Sequence, residues 1–216
     1  MTMTASMSST APSIDVFASQ TGGTGGLAWR NDTTTTRRDI GQTFEASSSG
    51  GTLDTISVQL DGNGYSSGAS QAAVTLDLYS VSTATANPST GTLLDAVSGT
   101  MPTLTGTLSN DYLTFNLSSD NISLTANGYY AFMLSFPNQA ASEDFTLELN
   151  TSTNAYAPGI GWQSPDETTF SSVSDDLNFL VTSLPVVPEP PELGLFCFGI
   201  GCGLLAFRRR LAFQRG

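Results

Sequence analysis

Phe145-Thr146-Leu147-Glu148-Leu149-Asn150 alternates apolar and polar side chains without a break. Successive side chains of an extended chain point to opposite faces, so this stretch has one apolar face and one wet face and reads as a half-buried antiparallel strand. The same period recurs at Ile56, Val58 and Leu60, at Val74, Leu76 and Leu78, and at Leu113, Phe115 and Leu117. It continues at Tyr130, Phe132, Leu134 and Phe136, and at Leu177, Phe179 and Val181. Turn-forming clusters separate these runs: Asp61-Gly62-Asn63-Gly64, Asn87-Pro88-Ser89, Asn127-Gly128 and Pro158-Gly159. Before the C-terminal tail no segment carries a 3.6-residue period long enough for a helix. Stacking two sheets buries all the apolar faces at once, so the expected fold is all-β: an antiparallel β-sandwich, jelly-roll or Greek-key-like.

Composition narrows the chemistry. Only 12% of the 216 residues are charged, well below the usual quarter, and Thr, Ser, Gly and Asn take their place, as suits an exported β-rich protein. The chain has no histidine, and its seven basic residues are all arginines. Without histidine there is no Ser-His-Asp or Cys-His nucleophile pair and no His-ligated zinc. Without lysine there is no Schiff base, P-loop or Ser-Lys dyad. The formal net charge is −12, and after Arg30, Arg37 and Arg38 no cation follows until Arg208. Phosphate binding needs a cationic footprint, so nucleic acid is not an expected partner.

The tail has a separate grammar. Val187-Pro188-Glu189-Pro190 leads into an uncharged apolar run, 193–207, which ends at Arg208-Arg209-Arg210. As a helix, this run spans roughly 22 Å at 1.5 Å per residue, short against a hydrocarbon core of about 30 Å. Arginine snorkelling covers part of the mismatch. Gly194, Gly199, Gly201 and Gly203 are ordinary in membrane helices. Cys197 and Cys202 both lie in the run, five residues apart, and do not face each other. The run reads as a single C-terminal transmembrane helix, with 208–216 as an Arg-rich cytoplasmic tail. The arrangement of Pro188, Glu189 and Pro190, the apolar span and Arg208, Arg209 and Arg210 resembles the PEP-CTERM sorting signal of exported bacterial proteins. That resemblance implies an exosortase-like processing enzyme, transient anchoring in the inner membrane and delivery to the cell surface or outside, in association with exopolysaccharide or biofilm.

The expected organisation is a disordered N-terminus at 1–13, a β-sandwich domain at 14–183, a Pro-rich linker at 184–192, and the span and tail beyond. Residues 1–12 have neither a basic n-region nor an apolar h-region, so the expectation is a missing signal peptide with 14–18 as the first strand. Within the body, Ile40-Gly41-Gln42-Thr43-Phe44, the runs 53–60 and 74–79, the loop 88–94 and Leu124-Thr125-Ala126-Asn127-Gly128-Tyr129-Tyr130 resemble the choice-of-anchor R domain of bacterial surface proteins. That resemblance implies a β-sandwich body joined to a variable C-terminal anchor, and assigns no ligand or catalytic residue.

Carboxylates are the only catalytic groups left. Glu143-Asp144, Asp166-Glu167 and Asp175-Asp176 are the candidate pairs for glycoside hydrolysis, but adjacent acids more simply flank turns, and the chain is not expected to be an enzyme. Carbohydrate binding without catalysis is the alternative, through Trp162, Tyr156, Gln163 and Asp166 in a Pro/Gly-rich loop; Trp162 reads more simply as a cap on the core. No cofactor is expected. Asp54, Asp61 and Asn63 offer hard oxygens for calcium around a Gly-rich turn, or the turn is held by its own Asx hydrogen bonds. Thr33 to Thr36, and Thr103, Thr105 and Thr107, read as an ice-binding threonine array or as a solvent-facing β edge.

Overall fold

The computed structural model describes residues 2–185, apart from 14, 24, 34, 107, 109, 140–143, 153 and 154. The sorting motif Pro188-Glu189-Pro190, the apolar run 193–207 and Arg208, Arg209 and Arg210 lie outside the described residues, as does Ile14. Met1–Leu184 form one compact unit. Among the described residues no helix is long and apolar enough to cross a membrane.

The strands are β1 (Thr2–Ser8), β2 (Val16–Gln20), β3 (Gly25–Arg30), β4 (Asp39–Glu45), β5 (Gly51–Tyr65), β6 (Ala73–Val81), β7 (Thr92–Thr100) and β8 (Tyr112–Asn116). They continue as β9 (Ser123–Leu124), β10 (Tyr129–Ser135), β11 (Asp144–Asn150), β12 (Gly161–Ser164), β13 (Ser171–Ser172), β14 (Asp176–Leu177) and β15 (Phe179–Ser183). One run of pairing follows the order β13-β12-β4-β10-β6-β7. A second is built around β5, which pairs with β8, β15, β9 and, at its far end, β11; β2 pairs with β15, while β3 and β14 pair with β11. The core lies between these two parts, in a sandwich-like arrangement. Phe132 of β10 meets Phe179 of β15 with ring centroids 5.9 Å apart, and Trp29 stacks on Phe136 at 4.1 Å. Every apolar residue of the six alternating runs is buried.

β1 joins the two parts into one curled, mixed sheet. It runs parallel to β7, with Met3 opposite Gly99, and antiparallel to β8, with Ala5 opposite Phe115. Two expectations are corrected here: residues 1–13 include a strand, and the sheet is not wholly antiparallel. The signal for β1 was present but faint. Met3, Ala5 and Met7 alternate with Thr4, Ser6 and Ser8, and Met3 is buried while Ala5 and Met7 pack against the core. Alanine and methionine carry less β preference than the branched and aromatic residues of the other runs.

Two further departures concern β5 and β4. Asp61-Gly62-Asn63-Gly64 does not end β5, which runs on to Tyr65, but it is an irregularity inside the strand: the register on β11 shifts between Leu60, opposite Leu147, and Tyr65, opposite Phe145. Earlier in β5, Thr55 lies opposite Thr182 and Leu53 opposite Ser183, so Asp54 is the extra residue of a bulge. The bulge lets Leu53 and Ile56, three positions apart, both face the core. β4 shows no alternation because it is buried almost end to end. Its Gln42 is satisfied there, with Nε2 donating to Asp176 Oδ1 at 2.8 Å and Oε1 accepting from the Leu177 N–H at 3.0 Å.

Gly99 sets how closely β1 approaches: a Cβ built there would lie 2.5 Å from the Met3 carbonyl oxygen. Gly99→Val is expected to push β1 out of its place and cost about 1–3 kcal/mol, read as a lower urea midpoint. An unchanged midpoint would show that β1 contributes nothing to stability.

Candidate functional site

β3 ends at Arg30, and the chain turns back to bridge to it at Arg38: the Arg30 N–H donates to the Arg38 carbonyl at 3.0 Å and the Arg38 N–H to that of Arg30 at 2.8 Å. Asp32 braces the turn, accepting from the Thr35 N–H at 2.6 Å and the Thr35 hydroxyl at 2.7 Å. Arg30 Nε donates to the Thr36 carbonyl at 3.0 Å. This turn gathers Arg30, Arg37 and Arg38, all the cations among residues 1–207, on one side of a recess of about 240 Å³. Gln163, Ser164 and Ser171 line it from β12 and β13, whose Gln163 and Ser171 lie opposite each other.

Charge within the recess is graded. Arg37 Nε donates to both oxygens of Asp39, at 2.9 and 3.1 Å, and its Nη2 to Glu167. Burial works against the Arg37 charge, but Asp39 and Glu167 outweigh it and hold the guanidinium above its ordinary range. These are the only ion pairs among the described residues. Arg38 is lowered by burial and by the charge of Arg30, with Asp144 opposing. Among the described residues the recess therefore offers two guanidinium groups outside any ion pair and a third tied to carboxylates.

Glu167 is delivered by a loop that Asp166 organises. Asp166 Oδ1 accepts from the Thr168 and Thr169 N–H groups at 2.9 and 2.6 Å, and these bonds hold its pKa well below the usual carboxylate range. Glu167 sits at a left-handed φ of 65° within this turn.

The sequence-derived candidates fare unevenly. Gln163 borders the recess and Asp166 shapes the loop beside it. Trp162 and Tyr156 present no face to a sugar: they are 4% and 8% exposed. The Trp162 indole N–H donates to Thr43 Oγ1 at 2.6 Å, and the Tyr156 ring packs edge-on against Phe179 at 5.1 Å. Both support the fold. Asp54 and Asp61 cannot share an ion, being seven positions and about 23 Å apart along one strand; Asp54 lines a different recess with Thr55, Thr114 and Thr182. The Asn63 side chain lies outside the described residues.

Of the carboxylate pairs, Glu143 lies outside the described residues, and Asp144 sits near Arg30 and Arg38. Asp176 is tied down by Gln42 and by the Tyr156 N–H, at 2.8 and 2.9 Å. Thr103 and Thr105 are not on a strand and Thr107 lies outside the described residues, so no threonine array is assembled there. The arginines carry no motif that marks them as a site. Their signal was positional, all the body's cations falling within positions 30 to 38.

No family model matches this chain, and no curated protein does. Among solved structures, the cysteine protease and lectin-like domains of Cwp84, a surface layer associated protein of Clostridium difficile, match at 13% identity and a TM-score of 0.40 over 74% of this chain and 36% of that one. The clostridial cysteine protease Cwp84 after propeptide cleavage matches at 14% identity and a TM-score of 0.46, over 79% of this chain and 40% of that one. The chain thus spans about two fifths of the length of the structures it matches.

Asp39 makes the recess sensitive to pH. Burial raises its pKa to about 6, against the opposing pull of Arg37. Because the folded value lies above the unfolded one of about 3.9, the native state holds the extra proton between pH 4 and 6, and stability falls as pH rises through that window. Urea midpoints measured at pH 4, 5, 6 and 7 are expected to show this decline, by at most roughly 3 kcal/mol, and Asp39→Asn to flatten it. An equal decline in Asp39→Asn would place the titrating group elsewhere.

Proposed function

We propose that this chain is an exported bacterial protein of the cell surface or extracellular matrix, a non-catalytic structural or adhesive β domain that grips an acidic exopolysaccharide through Arg30, Arg37 and Arg38. The observation that carries this reading is the convergence of every cation of the body on one recess, in a chain otherwise acidic. A guanidinium fork matches the two oxygens of a carboxylate, or those of a sulfate ester. Gln163 and Ser171 add neutral hydrogen-bonding groups of the kind sugar hydroxyls use. The net charge of −12 repels a polyanion at long range, so recognition rests on short-range contacts.

Retention of the full-length protein on polygalacturonate and on a neutral dextran tests the site. Binding to the polyuronate alone is expected, weakened by salt, reduced at least tenfold by Arg30→Ala or Arg38→Ala, and tightened below pH 6 as protonated Asp39 stops neutralising Arg37. Equal retention on dextran, or no retention on polygalacturonate, would sink the assignment.

Delivery rests on the order of three signals in the sequence: Pro188-Glu189-Pro190, the apolar run 193–207 and Arg208-Arg209-Arg210. An exosortase-like enzyme acting near Pro190 would detach the body from the membrane. The intact mass of the native protein outside the membrane fraction is then expected to end near Pro190. A soluble form extending through Gly216 would overturn this part of the reading.

A further inference from the structure

By alternation Glu148 belongs to the wet face of β11, yet it is only 8% exposed, and its Oε2 has no hydrogen-bond partner among the described residues. With Leu149 opposite Leu177 and Asn150 opposite Asp176, the next position across is Asn178, whose N–H donates to the Glu148 carbonyl at 2.9 Å. Asn178 is 1% exposed. Its Nδ2 donates to Gln59 Oε1 at 3.0 Å, and its Oδ1 has no donor among the described residues. On the other flank of Glu148 lies Gly26 of β3. A Cβ built at Gly26 would meet the Asp61 carboxylate at Oδ2. Asp61 thus leans in from β5 over the same face, and its charge acts on Glu148.

Two buried acceptors on this face, Glu148 Oε2 and Asn178 Oδ1, have no donor among the described residues, and the Asp61 carboxylate lies beside them. A buried acceptor left unpaired costs about 1–3 kcal/mol and a buried carboxylate more. The neighbouring charge acting on Glu148 is negative, so a cation or a proton must offset the cluster. We propose that Asp61, Glu148 and Asn178 Oδ1 form a divalent-cation site suited to calcium. Carboxylate and amide oxygens are hard ligands, and calcium accepts an irregular set completed by water. The site replaces the trio expected from sequence, keeping Asp61 and exchanging Asp54 and Asn63 for residues that only strand pairing brings together.

Terbium(III) and calcium are the probes, applied to EDTA-stripped full-length protein. Tyr112, opposite Gln59 in the same cross-strand row and raised in pKa by burial and by the Glu148 charge, is placed to sensitise terbium emission. Expected are one saturable terbium per chain, its displacement by calcium, and a calcium-dependent rise in the thermal midpoint. Glu148→Gln and Asp61→Asn should each weaken binding at least tenfold while melting, without metal, no lower than the parent. Arg38→Ala should bind calcium normally, which separates this site from the arginine recess. The proposal is overturned by no saturable binding at millimolar calcium, or by unchanged affinity in both carboxylate variants. A neutral Glu148 that alone satisfies Asn178 Oδ1 would show itself as the first of these outcomes.

Discussion

Because β5 pairs along its fifteen residues with β9, β8, β15 and β11, its register decides which side chains of four other strands face the core. A slip of one residue would turn Ile56, Val58 and Leu60 to solvent and carry Gln59 and Asp61 inward. The bulge at Asp54 is the local concession that allows this register, since it brings Leu53 into the same core as Ile56. The cluster of Asp61, Glu148 and Asn178 depends on the same alignment, as does the contact of Phe179 with Phe132 across the core.

Charge is sorted in space as sharply as it is along the chain. One turn collects the cations and ties Arg37 to Asp39 and Glu167, while Arg30 and Arg38 form no ion pair among the described residues. Around Glu148 the opposite has happened: acids and amide oxygens share a face with no arginine acting on them. The burial that raises Asp39 toward neutrality beside a guanidinium also raises Glu148, which has only another carboxylate as its charged neighbour. A single fold thus presents one surface suited to anions and another suited to cations.

Alternation revealed the strands whose inner faces hold Leu, Ile, Val or Phe, because burial of those groups is what the pattern records. It was silent on β4, where buried Gln42 and Thr43 are satisfied by partners more than a hundred residues away in the case of Asp176. At Asp61-Gly62-Asn63-Gly64 the local turn signal marks an irregularity inside β5 and not its end, because Leu60 and Tyr65 on either side both pair with β11. Trp162 reads more simply as a core cap than as a binding platform, and its burial and its bond to Thr43 agree with that. Glu148 sat in the clearest strand of all, and its alternation said it should be wet. Nothing short of the pairing of β11 with β3 and β14 reveals that it is enclosed.

The position of β1 has a temporal consequence. Its two neighbours, β7 and β8, occupy 92–100 and 112–116, so β1 has nothing to pair with until the chain has been made as far as Thr100. Closing so long a loop is slow relative to forming neighbouring hairpins. The two parts of the sheet can therefore each form their own hairpins first, and the strand that joins them is the one that must wait for distant partners.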